Sequence, residues 1–158
     1  MLSRVSEWLN YLFSTTSNNV DFTSFPKFRA TRITAANVSS GAGTVVAPDS
    51  IGYNIGSAYN SSNGRFTAPS DGYYHFDGTI GLTSVTLGVA TLFLNGTEVS
   101  RGSRTQGISA SNIGVSVSDT LYMTAGQYVQ LVGIANATAA VITVDSATHF
   151  SGHLVALG

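Results

Sequence analysis

The residues of this chain that could do chemistry are three histidines, eight acids and many serines. His149 and His153 stand four apart, the spacing that brings two imidazoles onto one metal when the segment is helical. Phe150 to Leu157 reads as a strand, however, where four residues span about 13 Å. That is too far for one ion with bonds of about 2 Å. His75 precedes Asp77 by two residues and shares a strand face with it, so it is expected as an exposed or interfacial polar residue. No G-x-S-x-G turn presents a serine for attack, and the acids are scattered over loops with no evident pair for glycoside cleavage. Lys27 does not follow a glycine-rich turn, as a phosphate loop would require. The sequence therefore predicts no catalytic residue, no metal site and no cofactor.

Composition narrows the partners. The chain has 158 residues, enough for one domain with a real core, and only 9% are charged against about a quarter in ordinary soluble domains. Ser, Thr, Asn and Gly take the place of charge, which predicts a hydroxyl- and amide-rich surface. The net charge of -1, with Lys27 as the single lysine and the arginines scattered, leaves no basic face for a nucleic acid. Cysteine is absent. No apolar run approaches the ~20 residues that span a bilayer. Glu7 and Asn10 interrupt the N-terminal apolar residues, so no signal-peptide core is expected.

The elements divide at residue 26. Val5, Trp8, Leu9, Leu12 and Phe13 fall on one stripe of a helix, with Ser3 as its N-cap and Ser14 to Asn19 ending it. A helix of about ten residues does not hold in water by itself, so the stripe must be covered by its own head, by sister copies or by another protein. A membrane surface is the poorest candidate, because Glu7 sits beside Arg4 on a face that should be rich in Lys and Arg. Val20 to Pro26 is an extended linker. The domain reading is a helix-and-linker arm over 1–26 and an all-β head over 27–158, with short strands separated by turn clusters.

Within the head, Ile51 to Phe76 is the most informative stretch. Tyr59 to Gly64 ends a strand and turns, Asn63-Gly64 offering the positive φ of a tight hairpin. Arg65-Phe66-Thr67 restarts a strand, Ala68-Pro69 stops it and Ser70-Asp71-Gly72 turns again. Tyr74, Phe76, Ile80 and Leu82 then alternate with Tyr73, His75, Asp77 and Thr79, a strand with one buried face. Val85 to Leu94 predicts a long strand apolar on both sides, with Val85, Leu87, Val89 and Phe93 on one and Ala90, Leu92 and Leu94 on the other. Such a strand is covered twice. Gly96 to Gly107 reads as an exposed polar ribbon, Ile113 to Met123 and Val129 to Leu131 as further strands, and Val141 to Val144 and Phe150 to Leu157 as the last two.

The order Asn54, Gly56, Tyr59, then Gly64-Arg65-Phe66-Thr67-Ala68-Pro69, then Gly72-Tyr73-Tyr74-His75-Phe76 resembles the globular head of complement component 1q, a relative of tumour necrosis factor. The likeness continues through Leu92-Phe93-Leu94-Asn95-Gly96, Leu121-Tyr122-Met123, Gly126-Gln127-Tyr128-Val129 and Phe150-Ser151-Gly152-His153-Leu154-Val155. It spans residues 28 to 157. Gln127 stands where the family usually has an acid, and His153 where it usually has an aromatic residue. The resemblance implies a jelly-roll β-sandwich that assembles as a homotrimer about a threefold axis. It places Tyr73, His75, Asp77, Val89, Phe93 and Tyr122 at the trimer interface.

Two functions follow as expectations. The first is a decoration or cement protein on the surface of a phage or virus particle, made in the host cytoplasm without a signal peptide. A homotrimer would sit at threefold positions and be anchored to a major capsid protein, or another virion protein, through Val5, Trp8, Leu9, Leu12 and Phe13. The alternative is a receptor- or glycan-binding head of a tail fibre or cell-surface adhesin, with Tyr53, Tyr59, Tyr73, Arg101 and Arg104 as contacts. A secreted signalling ligand is disfavoured by the missing signal, and an enzyme by the missing site.

Overall fold

The computed structural model describes residues 25–106, 112–143 and 147–158. The apolar stripe at Val5, Trp8, Leu9, Leu12 and Phe13 lies outside them. Regular structure among the described residues is all strand: β1 (Lys27–Thr31), β2 (Asn37–Val38), β3 (Thr44–Val45), β4 (Ser50–Ile55), β5 (Tyr59–Asn60), β6 (Arg65–Thr67), β7 (Gly72–Leu82), β8 (Leu87–Leu94), β9 (Thr97–Gln106), β10 (Ile113–Met123), β11 (Tyr128–Ala135), β12 (Ala139–Ala140) and β13 (His149–Leu157). Five of them form one sheet in the order β10-β7-β13-β1-β4. A second sheet runs β5-β6-β11-β8-β9, with β3 also on β11, and β2 pairs with β12. Non-consecutive neighbours and antiparallel pairing make this a jelly-roll sandwich.

The core explains why the hairpin stretch was so readable. Phe28, Tyr74, Phe76 and Phe150 from the first sheet meet Tyr59 and Phe66 from the second, all buried. Phe28 stacks on Tyr59 with ring centroids 4.5 Å apart, meets Phe150 edge-on at 5.0 Å, and lies 5.3 Å from Phe66. Each such contact adds to the area term, by about 0.5–1.5 kcal/mol. The aromatic residues that signalled a strand-turn-strand pattern are the ones that hold the two sheets together.

Three local expectations change. The β5–β6 connection is a four-residue loop, since Asn60 pairs with Arg65. Gly64 takes the positive φ of 67°, while Asn63 uses its side chain to accept the Arg65 N–H at 3.1 Å. Val85 lies before β8 and belongs to the core with Ala90 and Leu92. At Val141 the expected strand shrinks to an isolated pairing with Leu82, and Val144 lies outside the described residues.

The two sheets also touch along one flank, where β9 runs beside β10. A Cβ on Gly102 would stand 1.9 Å from the Ser116 carbonyl oxygen, so only glycine allows the approach. The Ser116 N–H donates to Ser103 Oγ at 3.2 Å, and Thr105 Oγ1 donates to the Gly114 carbonyl at 3.3 Å. The polar ribbon of the sequence is thus a strand whose outer edge is closed by hydroxyls.

Candidate functional site

The outward face of the five-stranded sheet gathers side chains from strands far apart in sequence. Directly opposed residues of an antiparallel pair share a face. The register sets Tyr122, Thr120, Ser118 and Ser116 of β10 against Tyr73, His75, Asp77 and Thr79 of β7. On the other side of β7 stand His153, Ser151 and His149, opposite His75, Asp77 and Thr79. β1 then contributes Lys27, Arg29 and Thr31 opposite those three, and β4 adds Ile55 and Tyr53 beside Lys27 and Arg29. The face has an apolar end and a polar middle.

At the apolar end, the Tyr73 and Tyr122 rings meet edge-on with centroids 5.2 Å apart. They remain 49% and 48% exposed, and a bulge near the end of β13 sets Ala156 opposite Tyr73. Tyr53 and Ile55 are exposed as well. In the middle, the His75 and His153 rings are 5.5 Å apart. An open cleft of about 560 Å³ follows, lined by Asp77, Thr79, Ser103, Ser116, Ser118 and His149 among others.

His75 sits in a small polar network. Its Nδ1 is 2.9 Å from Thr120 Oγ1 and its Nε2 is 3.1 Å from Asp77 Oδ2, with Ser118 Oγ 3.3 Å from the same Nε2. A serine relay needs hydroxyl and carboxylate on opposite ring nitrogens, whereas Ser118 and Asp77 share one. Thr120 does lie opposite Asp77 across the ring, but its own N–H is committed to Asp119 Oδ1 at 2.8 Å and is no donor for an oxyanion. The arrangement stores charge and hydrogen bonds rather than activating a nucleophile. No group of three or more His, Cys, Asp or Glu poised to hold a metal occurs among the described residues.

His149 is in a different state. Its Nδ1 is buried without a hydrogen-bond partner. Burial, and then the Arg29 charge, hold its pKa below the usual histidine value against an opposing pull from Asp77. Burial thus attaches a cost to its protonation.

The predicted site residues separate. Tyr73, His75, Asp77 and Tyr122 share the face just described. Val89 and Phe93 do not: they lie on β8 of the other sheet, where Val89 is 2% exposed and offers no surface to a partner. Part of the second cover that the sequence assigned to a neighbouring copy comes from the chain itself. Gly43 lies against Val132 and Phe93, and Thr91 Oγ1 donates to the Val132 carbonyl at 3.2 Å. Tyr59 is corrected too. It is 3% exposed and donates to the Pro48 carbonyl at 2.8 Å, and burial pushes its phenol pKa far up. Arg101 is exposed, but its guanidinium grips Glu98 at 2.7 and 2.8 Å. Gln127, where the family usually has an acid, uses its amide oxygen to accept the Thr124 N–H at 3.0 Å and so caps the turn before β11. His153, Lys27 and Arg29 were missed as members of this face, because only strand register brings them there.

This two-sheet jelly-roll is the fold of complement 1q heads and tumour necrosis factor ligands. The C1q domain family matches residues 27–155, and the chain belongs to it. Among solved structures, the globular domain of zebrafish complement 1qA is 14% identical with a TM-score of 0.66, over 84% of this chain and 99% of that one. Eiger TNF from S. frugiperda is 12% identical with a TM-score of 0.66, over 85% and 95%. Murine APRIL is 12% identical with a TM-score of 0.64, over 83% and 99%. At these identities the likeness is one of fold. A comparison with the curated proteins finds no match.

Proposed function

We propose that this protein is a non-catalytic structural head that assembles as a homotrimer through the outward face of its five-stranded sheet, and that the trimer decorates a virus or phage particle. The observation that carries the assembly is the apolar end of that face. Tyr73 and Tyr122 stay exposed there, and Tyr53 and Ile55 are exposed further across the same face. Burying apolar area gains about 25 cal/mol per Å², so a second copy is the natural cover, and the complement 1q resemblance favours a threefold arrangement. Tyr73, His75, Asp77 and Tyr122 form the shared interface in this reading.

Decoration is the finer part. Support for it comes from the apolar stripe Val5, Trp8, Leu9, Leu12 and Phe13 as an anchor for a capsid or other virion protein, and from a low-charge, cysteine-free composition suited to synthesis in the host cytoplasm. The receptor- or glycan-binding reading loses Tyr59 to the core and the Arg101 fork to Glu98, and no observation favours it. Two measurements test the proposal. Sedimentation of the full chain at micromolar concentration should give three times the chain mass, and a solitary subunit would end the assembly reading. Copy number in purified particles should run to hundreds, while a handful would move the protein to a tail.

A further inference from the structure

We infer that the assembly comes apart when the pH falls, with His149 and His153 as the groups whose protonation opens it. The inference rests on the trimer reading above and adds a regulation to the same face. Histidine is the side chain that gains charge between about pH 8 and pH 5, and all three histidines of the chain lie on this one surface.

Charge on the face is unbalanced in a definite direction. Asp77 is the side-chain carboxylate there, and it stands 3.1 Å from His75 Nε2, which leaves no carboxylate in contact with His149 or His153. His153 lies between His75 on β7 and Lys27 on β1, with its ring 5.5 Å from that of His75. His149 feels the Arg29 charge and is partly buried already. β10 presents Ser116, Ser118, Thr120 and the Tyr122 phenol, β4 presents Tyr53 and Ile55, and β9 reaches the cleft with Ser103. None of these adds an anion at acidic pH.

A neighbouring copy has little to offer either. Among the described residues, each remaining side-chain carboxylate already accepts a hydrogen bond where it stands: Asp49 from the Ile33 N–H, Asp71 from the Ala125 N–H, Glu98 from Arg101 and Asp119 from the Thr120 N–H. Covering the face therefore places extra imidazolium charge in a dry, already cationic setting, which favours separation. The dissociated head keeps its core, since Phe28, Phe66, Phe76 and Phe150 carry no titrating group.

The test is sedimentation of the full chain at pH 8 and pH 5, beside a His149→Gln, His153→Gln double variant, with circular dichroism at both pH values. Wild type should be trimeric at pH 8 and folded but dissociated at pH 5. Uptake of one proton per subunit raises the trimer dissociation constant about a thousandfold per pH unit at its steepest, about tenfold for each of three protons. The double variant, whatever its own affinity, should show the same dissociation constant at both pH values. A wild type equally trimeric at pH 5 overturns the switch and leaves the assembly reading intact, and a monomer at pH 8 removes both. A pH dependence in the double variant equal to that of wild type, or loss of the β signal at pH 5, also overturns the assignment.

Discussion

The two sheets solve the same problem in different ways. Both have apolar side chains pointing away from the sandwich core. On the six-stranded sheet, Val89, Thr91 and Val132 are buried, and Gly43 of the same chain lies against Val132. On the five-stranded sheet, Tyr73, Tyr122, Tyr53 and Ile55 stay open. Alternation in a sequence therefore reports that a face is apolar, and leaves open whether a local loop or a second molecule covers it. The decision lies in chain far away, at Gly43 for one sheet and nowhere among the described residues for the other.

The comparison breaks most completely at the flank that keeps the sheets distinct. Gly102→Ala puts a methyl against the Ser116 carbonyl, and we expect a loss of about 3 kcal/mol in urea unfolding, with the β9–β10 approach lost first. A fully stable variant would show that the contact is incidental. The next test sharpens the contrast between faces. Val89→Ala should cost about 2 kcal/mol of stability and leave the native mass unchanged. Tyr122→Ser should alter stability by less than about 0.5 kcal/mol and lower the native mass. The reverse pattern would exchange the roles of the two sheets.

The smallest effect concerns the chain that crosses from one sheet to the other. Burial opposes ionisation of Asp49, but the Thr34 hydroxyl, the backbone N–H groups of Ile33 and Thr34 and the Arg32 charge outweigh it and hold the carboxyl below its ordinary 3.8. A depressed acid stabilises the fold above its unfolded pKa, and that contribution fades as pH falls through the folded one. Asp49→Asn should thus cost about 1 kcal/mol at pH 7, after the discount that partial exposure imposes, and nothing near pH 2. A cost independent of pH would assign the effect to packing.

Much of the fold was legible because its signals are local. Gly64, Pro69 and Gly72 punctuate the chain where it turns, and Phe28, Phe66, Phe76 and Phe150 alternate with polar neighbours as core strands do. The site was only half legible. Tyr73, His75, Asp77 and Tyr122 show their side by alternation, yet nothing near His153 announces that register will set it against His75. Tyr59 misled for the opposite reason: an aromatic residue beside a polar turn looks available, and its stacking on Phe28 depends on a partner thirty-one residues earlier. Val89 misled because alternation shows a side chain to be on an apolar face and not that the chain has already buried it.

The closed flank beside β9 has one more effect. An unpaired strand edge invites a stranger's strand to continue the sheet, the first step toward fibrils. Here Ser103 and Thr105 spend their hydroxyls on the neighbouring sheet of their own molecule, and Gly102 brings that neighbour too near for an intruder to enter. Copies can then be crowded shoulder to shoulder at high density without zipping into one another along this side.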